Sequence, residues 1–493
     1  MAVRISGMNS GLDTDSIVQD LVKAYSTKTD TFKKEQTKLQ WKQDAWKSLN
    51  TKIYSFYSSS LSNMRFSANY NAKKTTVSDE TKASVIASDG AVSGIQTLKI
   101  TDLARAGYLT GEELKITDGS KLSSATKMSQ LGYTGSGTIT MTKGDGTTTN
   151  LSISENTTID QLTAGLTKAG LNANFDSSNG RIYVSAKTTG TAADFSFSEN
   201  AALNALGLNN TNNKIAGSNA KITLNGVNYE SNSNAFTING MTITVKGKTG
   251  ADEELSLSTD TDYDKIYDNI RNFFKEYNAL VNEMDAMYNA ASSKGYEPLT
   301  EDEKSSMTDS QVEAWEKKVK DAMLRRDDTV ESVTSAMRMS MLQTYTVGGK
   351  SMSLSGFGIN TMGYFNAANN EKNAYHIDGD TNDANTAGNQ DKLKAAIASD
   401  PAGVQDFFTQ LSNNLYDTLS RKMRHTELSS AFTIYDDIRL KEEYDDYTTK
   451  ISDWEKYVAN IEEKYYKQFT AMEKAMATLN SSQSALSGLL GSQ

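Results

Sequence analysis

Near the start of the chain apolar residues recur every seven positions, at Val18, Tyr25, Phe32, Leu39, Trp46 and Ile53. The companion row, stepping from Leu21, reads Lys28, Glu35, Lys42, Leu49 and Phe56. One heptad position is apolar throughout and the other is polar in the middle. This spacing predicts a long helix from about Thr14 to Met64 with a half-wet seam, too weak to hold the helix alone in water. Toward the other end, Leu440, Tyr444, Tyr447, Ile451, Trp454, Val458, Ile461 and Tyr465 alternate at four- and three-residue steps. After one stutter the row continues through Phe469, Met472, Met476 and Leu479. Tyr, Trp and Met stand where a tidy dimeric coiled coil carries Leu and Ile, so this seam is expected to meet partners of another kind. The simplest arrangement pairs the first helix with the last in an antiparallel hairpin and inserts the rest between them.

From about Ala68 to Asp260 the period changes to two. "ITLNGVNY" and "FTINGMTITV" each place Asn-Gly between apolar/polar alternations, the strongest short hairpin signal. "TITMTKGDGTTTNLSIS" predicts a hairpin with a longer turn, and "TIDQLTAGLTKAG" a short amphipathic helix. Residues 201–250 hold five charged side chains, Lys214, Lys221, Glu230, Lys246 and Lys248, in a Ser/Thr/Asn/Gly matrix. From Tyr263 helices return, interrupted at "TVGGKSMSLSGFGINTMG" and "DGDTNDANTAGN". The expected fold class is α+β multidomain: terminal helices forming a coiled-coil-like leg and a helical core domain, with two inserted β-rich domains. The expected boundaries are 1–42 with 450–493 for the leg and 43–75 with 260–449 for the helical core. The first β-rich domain takes 76–105 with 219–259, and the distal one 106–218.

The first residues add a hinge to the picture. Gly7, Asn9, Ser10 and Gly11 form a breaker cluster, and Gly7, Ser10 and Gly11 are the candidate hinge. Asp13 to Ser16 offer helix caps, with Ser16 and Gln19 at capping-box spacing. Arg4 is the one early cation and no apolar run follows, so no secretory signal is read there. No window reaches the length of a membrane span.

Composition narrows the chemistry. The chain of 493 residues has no Cys, which excludes disulfides, thiolate metal sites and cysteine nucleophiles. Only Pro298 and Pro401 occur where an average share of about 5% would give roughly 25. A formal charge of -10 argues against nucleic acid as the main partner. "DGDTNDAN" has the look of a calcium loop, but an EF-hand needs Gly sixth and Glu twelfth, where Asp383 and Asn389 stand. "DTDYDK" fails likewise at Lys265. His376 and His425 are the only histidines, with no HExxH motif and no partner at triad spacing. No P-loop, GxSxG or GxGxxG ahead of a helix is present. No enzyme, cofactor or metal site is expected.

Several blocks resemble one family. "GMNSGLDTDSIVQDLV" looks like the start of the flagellar filament cap protein family, also called hook-associated protein 2. "GIQTLKITDLARAG" (Gly94 to Gly107) is similar to that family's first strand of the β region, and "ITLNGVNYESNSNAFTINGMTITVKGKT" to its return into the second β domain. Tyr296 to Val330 and Leu354 to Phe408 resemble its helical core, and "QFTAMEKAMATLNSSQSAL" its closing helix. Thr158 to Gly190 is also similar to a motif shared with flagellins. The stretch 381–390, "TNDANTAGNQ", is longer than the family's usual tight turn.

The resemblance implies a multimeric cap at the tip of the extracellular filament, exported through the flagellar type III secretion system without a cleaved signal peptide. The implied partners are a second copy of the chain, flagellin, the hook-associated junction proteins and an export chaperone. The implied assembly is a closed ring of about five subunits, with about four to six allowed. The candidate contact residues are Val18, Leu21, Tyr25, Phe32, Leu39, Trp46, Ile451, Trp454, Val458, Ile461, Tyr465, Phe469, Met472, Met476 and Leu479. Ser/Thr-rich β domains at a filament tip also suit a surface adhesin that meets host mucus, and the hook–filament junction is a neighbouring structural role. Neither nucleic acid binding nor membrane insertion is expected.

Overall fold

The computed structural model describes residues 11–490, apart from 117–119, 210 and 364, with side chains up to residue 487. The expected hinge residues Gly7 and Ser10 lie outside the described residues. The chain is an α+β multidomain protein of two compact units, one built from residues 1–70 and 263–493, the other from 71–262.

Helix α1 (Thr14–Phe56) opens the first unit. Its cap is Asp13 rather than Ser16: the Asp13 carboxylate accepts from the Ser16 backbone N–H at 3.1 Å and from the Ser16 hydroxyl at 2.7 Å. Those bonds, led by the hydroxyl, hold the Asp13 carboxyl below its usual range. Beyond Phe56 the helix continues through a π-helical turn, Tyr57–Leu61, to residue 63, next to the expected end at Met64. Residues 46–56 bury Trp46, Leu49, Ile53 and Phe56.

The second unit is β-rich. One lobe holds β1 (Lys73–Val77), β2 (Ala83–Ala87) and β3 (Gly94–Asp102). The chain then builds a second lobe with β4 (Tyr108–Thr110), β5 (Ser136–Lys143), β6 (Thr148–Ser154), α2 (Ile159–Lys168), β7 (Leu171–Asp176), β8 (Arg181–Ala186), β9 (Phe195–Phe197), α3 (Ala201–Ala205) and β10 (Lys214–Ile215). It returns to the first lobe with β11 (Ala220–Leu224), β12 (Val227–Ser231), β13 (Ala235–Ile238), β14 (Met241–Val245) and β15 (Leu255–Thr261). The first lobe stacks a sheet of order β1-β15-β3-β11-β12 with one of order β13-β14-β2; the second combines β10-β4-β8-β7 and β6-β5-β9 with α2. Each lobe has its own apolar core: Leu98, Ile100, Ile222, Met241, Ile243 and Leu257 in the first, and Met128, Ile139, Leu162, Leu166, Ile182 and Val184 in the second.

Both Asn-Gly hairpins form where alternation places them. Asn225 and Gly226 have φ of 48° and 81°, Asn239 and Gly240 of 49° and 73°, so both central residues sit in the left-handed region that a type I′ turn demands. The third expected hairpin pairs β5 with β6 across Thr142 and Thr148. Helix α2 begins with a capping box between Thr158 and Gln161.

Back in the first unit come α4 (Tyr263–Tyr288), α5 (Glu301–Ser305), α6 (Asp309–Asp321) and α7 (Asp328–Met341). Two small hairpins follow, β16 (Tyr345–Val347) with β17 (Lys350–Met352), and β18 (Ile359–Thr361) with β19 (Tyr375–Ile377). The chain closes with α8 (Lys392–Ser399), α9 (Pro401–Lys422) and α10 (Asp437–Leu490). Pro401 sits in the first turn of α9, where its missing N–H costs nothing, and Asp400 caps the Gly403 N–H at 2.9 Å. Aromatic rings dominate this core: Phe56 lies 5.6 Å from Phe273, and Phe357 lies 4.8 Å from Phe407. Edge-on and tilted ring contacts of this kind add about 0.5–1.5 kcal/mol each beyond the area they bury.

Candidate functional site: the terminal helix pair

The two helical seams meet each other. Helices α1 and α10 run antiparallel, so residues near the start of α10 face the middle of α1. The Gln43 amide donates to the Leu440 carbonyl at 2.8 Å, and that of Gln36 to the Thr448 hydroxyl at 2.7 Å. Phe32 and Tyr447 lie 6.4 Å apart, Tyr25 and Tyr457 6.2 Å. Trp46 stacks on Tyr435, just ahead of α10, at 5.3 Å. The Trp454 indole N–H donates to the Tyr25 carbonyl at 3.0 Å. Lys33 and Glu455 add an ion pair at 2.7 Å, exposed on both sides and therefore weak.

The wet half of the α1 seam has partners inside the chain. The Lys28 ammonium sits 4.1 Å from the centre of the Trp454 ring, a cation–π contact. Glu35 pairs with Lys38 at 2.8 Å, and Lys42 with Asp327, just ahead of α7, at 3.2 Å. Lys34 reaches Glu303 of α5 at 2.9 Å. The charges that interrupt the heptad thus meet three kinds of partner: an aromatic ring of α10, a lysine of α1 itself, and an aspartate ahead of α7.

The candidate contact residues divide by burial. Val18, Trp46 and Ile451 are buried. Tyr25, Phe32, Leu39, Trp454, Val458, Ile461, Tyr465, Phe469 and Met472 are half-buried. Leu21, Met476 and Leu479 are exposed, Leu479 at 70%. Close to the start of α1 the buried positions are Thr14, Val18, Val22 and Thr29, so the second row runs through Val22 and Thr29, one residue along from Leu21 and Lys28. A strict seven-residue step drifts against a helix of 3.6 residues per turn, and over several turns that drift moves the buried row by one position. The seam rule also passes over Tyr457, which packs on Tyr25 and Trp454, and Leu486, exposed at 62%. A tyrosine one step off the heptad and a leucine in a small-residue tail carry little periodic signal.

Length matters as well. Helix α10 starts opposite the Gln43–Trp46 region and spans 54 residues, whereas α1 reaches back only to Thr14. At 1.5 Å per residue, about 20 residues of α10, roughly 30 Å, extend beyond the start of α1. Met476, Leu479 and Leu486 stand on that extension. Gly11, just ahead of α1, has φ of 71° and open space around its Cα.

The acidic loop after β19 is a chain of local turns. The Asp380 and Asp383 carboxylates accept from the backbone N–H groups of Asn382 and Asn385, each at 3.0 Å. His376 Nδ1 lies 2.5 Å from Asp383 Oδ2. Burial alone would raise the Asp383 carboxyl, but the bonds from His376 and Asn385 outweigh it and hold it below the usual range. His425 is tied to the Ser429 carbonyl at 2.9 Å. Among the described residues no group of three His, Cys, Asp or Glu is placed to hold a metal ion, and no helix is long and apolar enough to cross a membrane.

Comparison with known proteins points one way. Family models for the C-terminus and the N-terminus of flagellar hook-associated protein 2 match residues 217–481 and 10–107. The chain is 23% identical over 546 residues to flagellar hook-associated protein 2 of Halalkalibacterium halodurans, covering 98% of this chain and 99% of that one. It is 27% identical over 308 residues to the A-type flagellar hook-associated protein 2 of Pseudomonas aeruginosa, covering 56% and 62%. In fold it is similar to the D1-D2-D3 domains of the flagellar cap protein FliD from Escherichia coli, with a TM-score of 0.50 at 19% identity over 82% of this chain and 99% of that one.

Proposed function

Because the chain belongs to the flagellar hook-associated protein 2 family, we propose that it is the filament cap: a ring of about five copies, with about four to six allowed, at the outer tip of the flagellum. In this reading the leg (1–42 with 450–493) grips the filament, the helical core (43–75 with 260–449) forms the body, and the β-rich parts (76–105 with 219–259, and 106–218) are separate domains. The cap retains exported flagellin and helps it fold and insert. The junction proteins receive the cap, and an export chaperone delivers the chain to the secretion system.

One observation carries the reading. The end of α10 presents Met476, Leu479 and Leu486 to solvent on a helix extending beyond the start of α1. Apolar side chains held out on a rigid helix support a docking role, and Met adapts to changing neighbours at little cost. A cap on a helical filament meets a new lattice position after each added subunit, so its grip has to be renewable. In this reading Gly11, at a positive φ, supplies the swing.

The test is the double variant Met476→Ser/Leu479→Ser. Both side chains are exposed, so the chain should keep its fold by circular dichroism. Cells carrying it should leak flagellin into the medium and grow short filaments. Normal filaments would overturn the grip assignment. Light scattering that returned only monomer at high concentration for the parent chain would overturn the ring. Deletion of residues 2–16 tests the hinge in the same cells.

A further inference from the structure

The two β lobes have separate apolar cores, and separate cores joined by polar contacts normally move against one another. Two strands of chain cross between them, around Arg105 and around Ser218, bonded to each other through both backbone N–H groups at 3.0 and 3.1 Å. A pair of crossing strands is a swivel. Something else must fix the angle.

That element is the segment between β8 and β9, residues 187–194. It belongs to the second lobe, where the Gly144 N–H donates to the Asp194 carbonyl at 2.8 Å and the Asp145 N–H to the Ala192 carbonyl at 3.1 Å. The same segment reaches the first lobe. The Thr189 hydroxyl donates to the Asn232 carbonyl at 2.6 Å, and the Thr191 N–H to the Asn219 side-chain oxygen at 2.8 Å. The Asn219 amide in turn donates to Glu230 of β12 at 2.7 Å. It also holds a crossing strand: the Gly190 N–H donates to the Arg105 carbonyl at 3.2 Å, while Asp194 pairs with Lys214 of β10 inside its own lobe at 2.5 Å.

Glycines make the fit possible. A Cβ on Gly190 would stand 2.7 Å from Asn232 Cβ, and one on Gly217 would stand 2.7 Å from the Gly190 carbonyl. A Cβ on Gly107 would collide with the Asp194 carboxylate. Backbone meets backbone at the crossing, with no room for a side chain in between.

We propose that residues 187–194 are a clasp that locks the second β lobe at one angle to the first, and that releasing the clasp frees the lobe to swivel about the Arg105 and Ser218 crossing while both cores stay folded. The clasp is built from directional polar bonds rather than apolar area, so it sets an angle sharply and opens without exposing a core.

The absence of cysteine makes the test clean. Spin labels at Ser177→Cys in the second lobe and Thr237→Cys in the first, both exposed, report the interlobe distance by pulsed electron resonance. The parent should give one narrow distance peak. In the double variant Thr189→Val/Asn219→Ala that single peak should be lost to a broad distribution, while amides of β8 and β14 keep their exchange protection. A peak that stays narrow with both lobes protected overturns the clasp. If protection in β8 or β14 falls, the milder pair Thr189→Val/Asn219→Ser is read in the same way, and a narrow peak there overturns it equally.

Discussion

Replacing Trp454 by alanine takes out the most heavily engaged side chain of the terminal helix pair. The indole is half-buried between the helices, lies 4.8 Å from the Tyr457 ring, carries the Lys28 ammonium over its face and donates to the Tyr25 carbonyl. Half-burial of so large a ring contributes about 1.5 kcal/mol. The cation–π contact, at a wet site, adds about 0.5 kcal/mol. The hydrogen bond adds about 1 kcal/mol; its loss leaves no orphan, because the Tyr25 carbonyl lies inside a helix and keeps its intrahelical partner. The expected loss is therefore about 3 kcal/mol, roughly a hundredfold in the opening equilibrium of the pair. A chain of several folded parts has no single unfolding free energy, so the measurement must be local. Native-state hydrogen exchange should show amides near residues 22–30 and 450–458 exchanging roughly a hundredfold faster, with the β unit unchanged. Trp454→Phe should recover the packing but not the hydrogen bond, and fall between. If Trp454→Ala alters local protection by less than about 0.5 kcal/mol, the aromatic contacts are not what joins the helices, and the ion pairs along the seam must carry more than exposed pairs usually do.

Asn50→Ala should cost about 2 kcal/mol by the same local measure, because Asn50 accepts from the buried Ile434 N–H at 2.9 Å, donates to the Phe432 carbonyl at 3.2 Å and so braces Phe432 at a strained φ of 62°. Leu162→Ala, fully buried in the second β lobe, should lose about 2–5 kcal/mol of protection in β7 and β8 and leave α4 and α9 untouched; equal loss in both units would refute their independence. Burial raises the Asp285 carboxyl above its usual range despite the bond from Asn373, so its contribution to stability is full below the ordinary carboxylate pKa and declines as pH rises through the raised one. Asp285→Asn should abolish that decline in a series of thermal melts across the acid range, and an unchanged pH slope would contradict the assignment.

Period and turn chemistry carried most of the architecture. The heptad rows placed α1 and α10 because both helices bury one long stripe, and Asn-Gly placed two turns because few other dipeptides accept φ above zero twice in succession. The antiparallel pairing followed from both stripes needing cover. What stayed illegible was tertiary. Nothing in the sequence around Asp327 or Glu303 announces that it will neutralise lysines near residue 40, since any of 61 carboxylates would serve. The choice of Asp13 over Ser16 as cap turned on backbone angles that several adjacent capping residues satisfy equally well in sequence. Burial of Val22 and Thr29 in place of Leu21 and Lys28 reflects helix phase, which depends on the partner's path. The clasp at 187–194 reads as an ordinary loop until the backbones it touches are in place.

The helical unit draws on both ends of the chain, and the bond from Trp454 to Tyr25 closes a separation of 429 residues. Closing such a loop is not prohibitive in entropy, since each doubling of length adds only about 0.6 kcal/mol. Order of arrival is the stricter constraint. Residues 71–262 form a contiguous block whose longest pairing, Lys73 with Thr261, lies within it, so the block can fold once its own last strand has emerged from a ribosome or any narrow exit. Helix α1 emerges first and must wait for α10. At about 10 residues per second that wait is roughly 40 s, during which the apolar row from Val18 to Trp46 has no intrachain cover. Delivery, not folding, therefore sets the clock for the terminal hairpin. The hairpin exists only in chains whose last long helix has arrived, so its formation reports that α10 has been delivered.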